Sequence, residues 1–257
     1  MATPECTEDI LGYAVCKPSL ALCADDWIHA AGHGKPCAWL ACLNPHSYAV
    51  ALQDAPFRAA LTGATWLVPD GVGVVFASRL LDGTIATRLT GSDVFLTLTG
   101  KLQALGGKRV FLLGSSEATL QLIRNRMAIE FPAVCIAGTC SPPFRESFTA
   151  SEVDSMIDQI NHSQADVLWV AMTAPKQEKW LHAHQHRLNV GFAAAIGAVF
   201  DFYAGNVKRS SPIFQRLGFE WLPRLLQEPK RLWRRTLVSA PVFLLHAWRA
   251  RRSSNRR

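Results

Sequence analysis

The 257-residue sequence contains no CxxC pair, and its seven cysteines are an odd number. Disulfide frameworks belong to secreted chains and use cysteines in pairs, so neither the spacing nor the count favours one. The first residues, MATPECTEDILGY, lack the basic segment and the apolar segment of a secretory signal peptide. These absences predict a cytoplasmic protein with reduced thiols.

Long apolar runs are also missing. None reaches the roughly 20 residues that a membrane-spanning helix needs, and the nearest, TLVSAPVFLLHAW at 236–248, is interrupted by Pro241. We find no repeat of fixed period and no low-complexity linker. The sequence therefore predicts a protein that touches a membrane without crossing it.

Positive charge is concentrated at the end of the chain. From residue 207 onward, 13 Lys and Arg face only Glu220 and Glu228, a net charge of +11, whereas the whole chain carries +7. Residues 1–206 must therefore carry −4. We divide the chain into an α/β core at 1–206 and a basic, amphipathic C-terminal appendage at 207–257.

Six short apolar runs alternate with helix-like stretches. They are AWLACLN (38–44), ATWLVPD (64–70), KRVFLLG (108–114), AVCIAG (133–138), ADVLWVAM (165–172) and VGFAAAIG (190–197). Nearly continuous runs of this length are typical of strands covered on both faces, and several gaps are long enough for a crossover helix. The sequence predicts a Rossmann-like α/β fold, with a largely parallel sheet flanked by helices.

Ligands of such sheets bind beyond the carboxyl ends of the strands, so the residues that follow each run are candidates for a site. Asp70 lies between a strand and a glycine-bearing turn, and is equally well explained as the N-cap of the next helix. Gly114, Ser115 and Ser116 are able to present N–H groups to a phosphate, although an ordinary strand-to-helix turn is the commoner explanation. The third unusual end is PKQE at 175–178.

Two other classes of protein stay open on the residues alone. GVGVVFA approximates a dinucleotide fingerprint, which would suggest a Rossmann-type oxidoreductase, but Phe76 occupies the third glycine position. A basic tail with tryptophans fits a nucleic-acid-binding protein. However, the acidic body offers no second basic surface, and nothing resembles a groove-reading motif, so we expect no nucleic-acid partner.

Histidines and cysteines outside these strand ends carry weaker signals. His182, His184 and His186 in LHAHQHR suggest a metal site, because 182 and 186 share a helix face. Spacing fixes no third ligand, so a solvated helix is favoured. Cys135 and Cys140 are predicted to be buried strand residues.

Several stretches occur in an order that indicates a family. These are LNPHSYAVAL, LVPDGVGVVFASRL, RLTGSDVF, RVFLLGSS, PKQEKW, IGAVFDFYAG and LGFEWLPRLLQEPKRLWRR, between about residues 38 and 235. Together they resemble the WecG/TagA/CpsF glycosyltransferases (glycosyltransferase family 26). The resemblance implies transfer of a sugar from a UDP-sugar donor to a polyprenyl-diphosphate-linked saccharide, in bacterial cell-surface polysaccharide biosynthesis. It also implies a peripheral protein on the inner face of the plasma membrane.

The resemblance assigns roles residue by residue. Asp70 matches the family's proposed general base, Arg88 an arginine near the donor site, and Gln177 a residue that contacts the sugar or the nucleotide. Taken alone, Arg88 would be a surface charge and Gln177 an exposed residue at the start of a helix. The family's C-terminal segment closes over the active site while resting on the membrane, and its diphosphate-binding arginines match Arg224, Arg231 and Arg234.

Two departures affect the expected chemistry. No DxD motif occurs, so we expect no metal requirement, with arginine forks binding the diphosphate instead. Cys42 stands two residues before Asn44, where relatives often carry a Thr, and a thiol is a weak hydrogen-bond partner. We take Cys42, Asn44 and Gly114 as further substrate-binding candidates, with the donor open between UDP-glucose and UDP-N-acetylmannosamine.

The last basic residues are expected to act on lipid rather than on the donor. An anionic membrane surface attracts each nearby cation by about 1 kcal/mol. The residues expected to face it are Arg249, Arg251, Arg252, Arg256 and Arg257.

Overall fold

The computed structural model describes residues 6–17, 20–33, 36–207 and 233–254. A two-stranded antiparallel hairpin, β1 (Thr7–Ile10) and β2 (Tyr13–Cys16), comes first. A six-stranded parallel sheet follows, with strands β3 (Ala38–Leu43), β4 (Trp66–Pro69), β5 (Arg109–Gly114), β6 (Cys135–Cys140), β7 (Val167–Ala171) and β8 (Phe192–Ala195). Each predicted run contributes one of these six strands, which confirms the α/β fold class.

Helices cover both faces of this sheet. In chain order they are α1 (Leu20–His33), α2 (Pro45–Ala51), α3 (Ala55–Gly63), α4 (Val72–Leu80), α5 (Gly91–Leu105), α6 (Glu117–Glu130), α7 (Ala150–His162), α8 (Lys176–His184), α9 (Val199–Ala204) and α10 (Ala240–Ser254). Along β3, Trp39 and Ala41 join one buried cluster, whereas Leu40 joins the cluster on the opposite face. The alternation follows from the period of two in a strand and explains why the run is apolar throughout.

The strand order places a crevice at the centre of the sheet. Across the sheet the order is β4-β3-β8-β7-β5-β6. The chain leaves β3 toward one edge and β5 toward the other, with β8 and β7 between them. The carboxyl ends of these middle strands therefore border the position at which an open α/β sheet binds ligands.

The edge strand β6 corrects one prediction. Cys135 is exposed and Cys140 is only partly buried, so the expectation that both are buried is wrong. Among the described strands, β6 pairs with β5 alone, so it is an edge strand with less cover than a central one.

The last helix packs onto the body of the protein. Residues Arg234–Ser239 form a π-helical segment that continues into α10, next to Pro241, which cannot donate a backbone hydrogen bond. α10 contacts α2 and α4, and Phe243 is fully buried with its ring 5.1 Å from that of Tyr48. Among the described helices, none is long and apolar enough to span a membrane.

The arginines of α10 divide between protein and solvent. Arg251 donates to the Leu80 carbonyl at 2.6 Å and to Asp82 Oδ1 at 2.8 Å, so the prediction that it faces lipid is wrong. Arg249 is exposed, and Arg252 stacks on the Trp248 ring at 3.6 Å. Arg256 and Arg257 lie outside the described residues. The boundary at residue 206 stays a prediction, because residues 208–232 also lie outside.

Candidate active site at the carboxyl end of the sheet

Asp70 lies at the junction of two neighbouring strands. It directly follows β4, and its backbone N–H donates to the Leu43 carbonyl at the end of β3, at 2.8 Å. The N-cap of α4 is Gly71, with φ +91°, and no side chain caps this helix. The alternative that Asp70 serves as the N-cap is therefore wrong, and its side chain lies partly exposed at the carboxyl end of β4.

Asn44 holds the Asp70 carboxylate through one end of its amide. Its Oδ1 caps α2 by accepting from the N–H groups of His46 at 3.0 Å and Ser47 at 2.9 Å. In turn, the Ser47 hydroxyl oxygen accepts a hydrogen bond from Asn44 N at 2.8 Å. This capping box fixes the amide orientation, so Nδ2 points at Asp70 and donates to Oδ2 at 3.2 Å.

The loop that carries Arg88 is held beside Asp70. Leu89 N donates to the Pro69 carbonyl at 2.7 Å, which places Arg88 and Asp70 on either side of one backbone hydrogen bond. Farther back in the loop, the Glu8 carboxylate of the N-terminal hairpin accepts from Thr84 N at 2.6 Å. Arg88 is partly buried rather than a free surface charge.

The PKQE segment forms the first turn of α8, after β7. Gln177 is 3% exposed, so the alternative of an exposed residue at a helix start is wrong. Its Oε1 accepts from Gly197 N at 3.0 Å, and its Nε2 donates to Glu178 Oε1 at 2.8 Å. Gln177 therefore joins the carboxyl ends of β7 and β8.

Three acidic side chains surround Cys42, which lies near the end of β3. Burial raises the pKa of the Cys42 thiol well above its usual range, and the nearby carboxylates of Asp70, Glu178 and Asp93 raise it further. Cys42 is therefore a neutral thiol. The same grouping shows that several acidic side chains lie near the end of β3.

The turn after β5 is explained by local packing. Gly114 has φ +112°, and a Cβ there would lie 2.5 Å from the Ala171 carbonyl of β7. Ser116 caps α6 by accepting from Thr119 N at 3.2 Å, and Glu117 places an acidic side chain in the first turn. These features fit an ordinary strand-to-helix turn, and phosphate binding at Gly114 and Ser115 stays a prediction.

The histidines of α8 do not form a metal site. His186 lies beyond the end of α8 in a short 3₁₀ turn, so it does not share a helix face with His182. His182 lies against Gly63, and His184 packs edge-on to Trp180 at 5.4 Å, so the expectation of a solvated helix is also wrong for both. Within the described ranges, no group of three or more His, Cys, Asp or Glu is placed to hold a metal ion.

The tail arginines cannot be placed with the rest of the site. Arg224 and Arg231 lie outside the described residues. The backbone of Arg234 belongs to the π-helical segment, and its side chain is outside what the structure describes.

Two side chains that the sequence did not single out connect the C-terminal helical region, residues 234–254, to the site. His46 Nδ1 lies 3.0 Å from Ser239 Oγ, and the Tyr48 hydroxyl lies 2.8 Å from His246 Nδ1. Both belong to α2, whose N-cap is the Asn44 that contacts Asp70. In the sequence, His46 and Tyr48 occur in NPHSY, a mostly polar stretch that precedes the apolar AVAL.

Comparison with known proteins identifies the family. The model of the glycosyl transferase WecG/TagA/CpsF family matches residues 8–257. The chain is 32% identical over 217 residues to a Bacillus spizizenii protein, covering 84% of this chain and 81% of that one. A Bacillus subtilis protein is 31% identical (81% of this chain, 78% of that protein), and a Staphylococcus aureus protein is 27% identical (81% and 79%). All three are named N-acetylglucosaminyldiphosphoundecaprenol N-acetyl-beta-D-mannosaminyltransferase. This chain, with its parallel sheet and the Asp70 site at the carboxyl end, belongs to the WecG/TagA/CpsF family of glycosyltransferases.

Proposed function

We propose that this chain is an inverting glycosyltransferase that moves a sugar from a UDP-sugar to a polyprenyl-diphosphate-linked saccharide. The observation that carries the proposal is the Asp70 carboxylate, held by Asn44 Nδ2 at 3.2 Å at the carboxyl end of the sheet. A carboxylate in this position is suited to accept a proton from a hydroxyl group. Family membership supplies the reaction class.

The reaction is a single displacement in which Asp70 acts as the general base. The acceptor hydroxyl attacks the anomeric carbon while its proton passes to Asp70. The new bond joins the acceptor oxygen to that carbon, and the bond from the carbon to the diphosphate oxygen breaks, so UDP leaves with the electron pair.

Arginines are proposed to stabilise the charge that develops on UDP. Arg88, beside Asp70, is the described candidate, and Arg224, Arg231 and Arg234 are the proposed contributors from the tail. Their bidentate forks fit phosphate oxygens, so the transfer requires neither a metal nor another cofactor. Gln177 contacts the donor through the amide N–H that Glu178 does not bind, because an amide carries two such donors.

The relatives' names indicate the most direct substrate pair. They transfer N-acetylmannosamine to N-acetylglucosaminyldiphosphoundecaprenol. We propose UDP-N-acetylmannosamine as the first donor to test, with UDP-glucose as the alternative that Cys42 raises. We propose that the Cys42 thiol, whose pKa is raised by burial and by nearby acidic groups, distinguishes these sugars by contact rather than by charge.

We also propose that the protein works on the cytoplasmic face of an anionic membrane. The exposed side of the C-terminal helical region carries large apolar groups, including Trp233, Leu237 and Trp248. Exposed Arg249 and Arg252 occur with them. Apolar groups interleaved with cations are suited to the membrane interface, where an acceptor with a polyprenyl chain would reside.

The test combines a substrate panel with one variant. Purified protein is incubated with UDP-sugars and a short-chain polyprenyl-diphosphate N-acetylglucosamine acceptor, and products are identified by mass. Asp70→Asn should lower kcat about 100-fold or more, the scale of acid–base catalysis, with donor binding little changed. Asp158→Asn, the same change on the exposed face of α7, is the control and should keep full activity. Near-normal turnover by Asp70→Asn would remove Asp70 as the base.

A further inference from the structure

A buried glutamate next to Gln177 has no role in the reaction as written above. Glu178 is 4% exposed, and its Oε1 accepts from Gln177 Nε2 at 2.8 Å. Its other oxygen, Oε2, is buried and has no hydrogen-bond partner among the described residues. Buried polar groups are nearly always paired, so an unpartnered carboxyl oxygen at the edge of a site requires an explanation.

The contacts of Gln177 indicate a role for the Glu178 carboxyl group. Both ends of the Gln177 amide are hydrogen-bonded. The Gly197 N–H donates to the amide oxygen at 3.0 Å, and the amide nitrogen donates to Glu178. Gly197 follows β8 and has φ +57°, a backbone conformation that suits glycine. If the Glu178 contact were lost, the amide would be free to rotate and the hydrogen bond to this turn would lose its fixed geometry.

We propose that Glu178 is a positioning residue for sugar transfer, which fixes the Gln177 amide so that its second N–H faces the UDP-sugar donor. The inference rests on the proposed function, in which Gln177 contacts the donor. Glu178 acts on the donor only through the Gln177 amide, to which its Oε1 is hydrogen-bonded.

The surroundings of Glu178 favour its neutral form. Burial raises the pKa of Glu178 to about 7, although hydrogen bonds from Gln177 and from the backbone, and the charge of Lys179, act in the opposite direction. The Lys179 ammonium is itself paired with Asp54 on α3 at 2.8 Å, which reduces its effect. The titratable residue of β3 near Glu178 is Cys42, whose thiol is neutral. Protonated Glu178 offers Oε1 as an acceptor to Gln177 and leaves no charge on the unpartnered Oε2.

Ionisation changes this arrangement. The Gln177 hydrogen bond lowers the pKa of Glu178, so it is stronger to the ionised carboxylate than to the neutral acid. Ionisation should therefore hold the Gln177 amide more firmly, and donor binding should tighten as the pH rises through about 7. Because this contact positions the donor, the effect should appear in the KM for the donor more than in kcat.

Two variants of the full chain test the proposal. Glu178→Gln keeps an amide oxygen for Gln177 Nε2 and cannot ionise, whereas Glu178→Met has a similar volume but no acceptor. We expect Glu178→Gln to match the wild-type donor KM below neutral pH and to lack the fall in KM above it. Glu178→Met should raise the donor KM about 5- to 10-fold at every pH, the scale of one lost hydrogen bond, with the KM for the acceptor unchanged.

A second measurement separates this inference from the proposed function. Urea unfolding at several pH values reports the ionisation of Glu178 without any substrate. The free energy of unfolding of the wild type should fall as the pH rises from the ordinary pKa of the carboxyl toward about 7, and Glu178→Gln should lack this fall. A panel with no transfer from any UDP-sugar overturns the proposed function and this role with it. Wild-type transfer combined with an unchanged donor KM in Glu178→Met, or with the same pH profile in Glu178→Gln, overturns the positioning role alone.

Discussion

Asn44 performs two tasks that one set of substitutions can separate. Its oxygen caps α2, and its nitrogen donates to the Asp70 carboxylate. Asp and Ser cap helices about as well as Asn, so Asn44→Asp and Asn44→Ser should both preserve α2. Each removes the donor to Asp70, and only Asn44→Asp adds a second carboxylate in its place.

The size of the expected pKa shift follows from the distance between the side chains of residues 44 and 70. Asn44 Nδ2 lies 3.2 Å from Asp70 Oδ2, so the new carboxylate would lie in direct contact with the old one. Two unit charges about 4 Å apart repel by about 1 kcal/mol in water and about 4 kcal/mol at the effective dielectric of a protein surface. Since one pKa unit corresponds to about 1.4 kcal/mol, the apparent pKa of the pair should rise by about 1 to 3 units.

The assay is the pH dependence of kcat/KM with a soluble acceptor analogue. The acid limb of the profile reports the base in the free enzyme. For Asn44→Asp it should move upward by about 1 to 3 pH units, and for Asn44→Ser by less, because that variant loses only the hydrogen bond. Circular dichroism and urea unfolding confirm that the cap is kept. If Asn44→Asp retains the wild-type acid limb while folded, Asp70 is not the group that titrates in catalysis.

Two further outcomes test the treatment of charge in the site and the tail. Activity should survive EDTA, because the proposed diphosphate ligands are arginines; a complete loss that Mg²⁺ or Mn²⁺ restores would contradict metal independence. Arg249→Gln combined with Arg252→Gln should weaken binding to anionic vesicles by roughly 1 kcal/mol for each charge. Arg251→Gln should leave vesicle binding nearly unchanged and lower the melting temperature, since Arg251 binds Leu80 and Asp82. An equal loss of vesicle binding per charge in the double variant and in Arg251→Gln would contradict this division.

The sheet was predictable because its strands are buried on both faces. Central parallel strands must be apolar at every position, and this signal needs no tertiary information. The hairpin of β1 and β2 gave no such signal, because TEDI and YAVC are four residues each and the first is half acidic. Its position depends on Glu8, whose carboxylate binds the distant backbone of Thr84.

The sequence predicted which residues form the site but not how they contact one another. Resemblance assigned Asp70, Arg88 and Gln177, and the order of the sheet explains why these residues gather at one edge. The contacts that define the site depend on register, which spacing does not reveal. Asn44 reaches Asp70 because β3 and β4 pair with Leu43 opposite Pro69, so the residues that follow each strand are neighbours. A glutamate in PKQE likewise gives no sign that its carboxyl is buried.

The basic tail shows what a count of charges omits. An α-helix turns about 100° per residue, so Arg251 points about 100° away from Arg252 and about 160° away from Arg249. Phe243 and Ala247 are fully buried, and the next position in that stripe, four residues on, is Arg251, which ends the buried face with hydrogen bonds to α4 and the loop after it. The sequence alone could not select this stripe, because VFLL at 242–245 presents an apolar side chain in every direction. Once Phe243 is known to face the body, the same geometry turns Arg249 and Arg252 away from it, toward the surface proposed to meet the membrane.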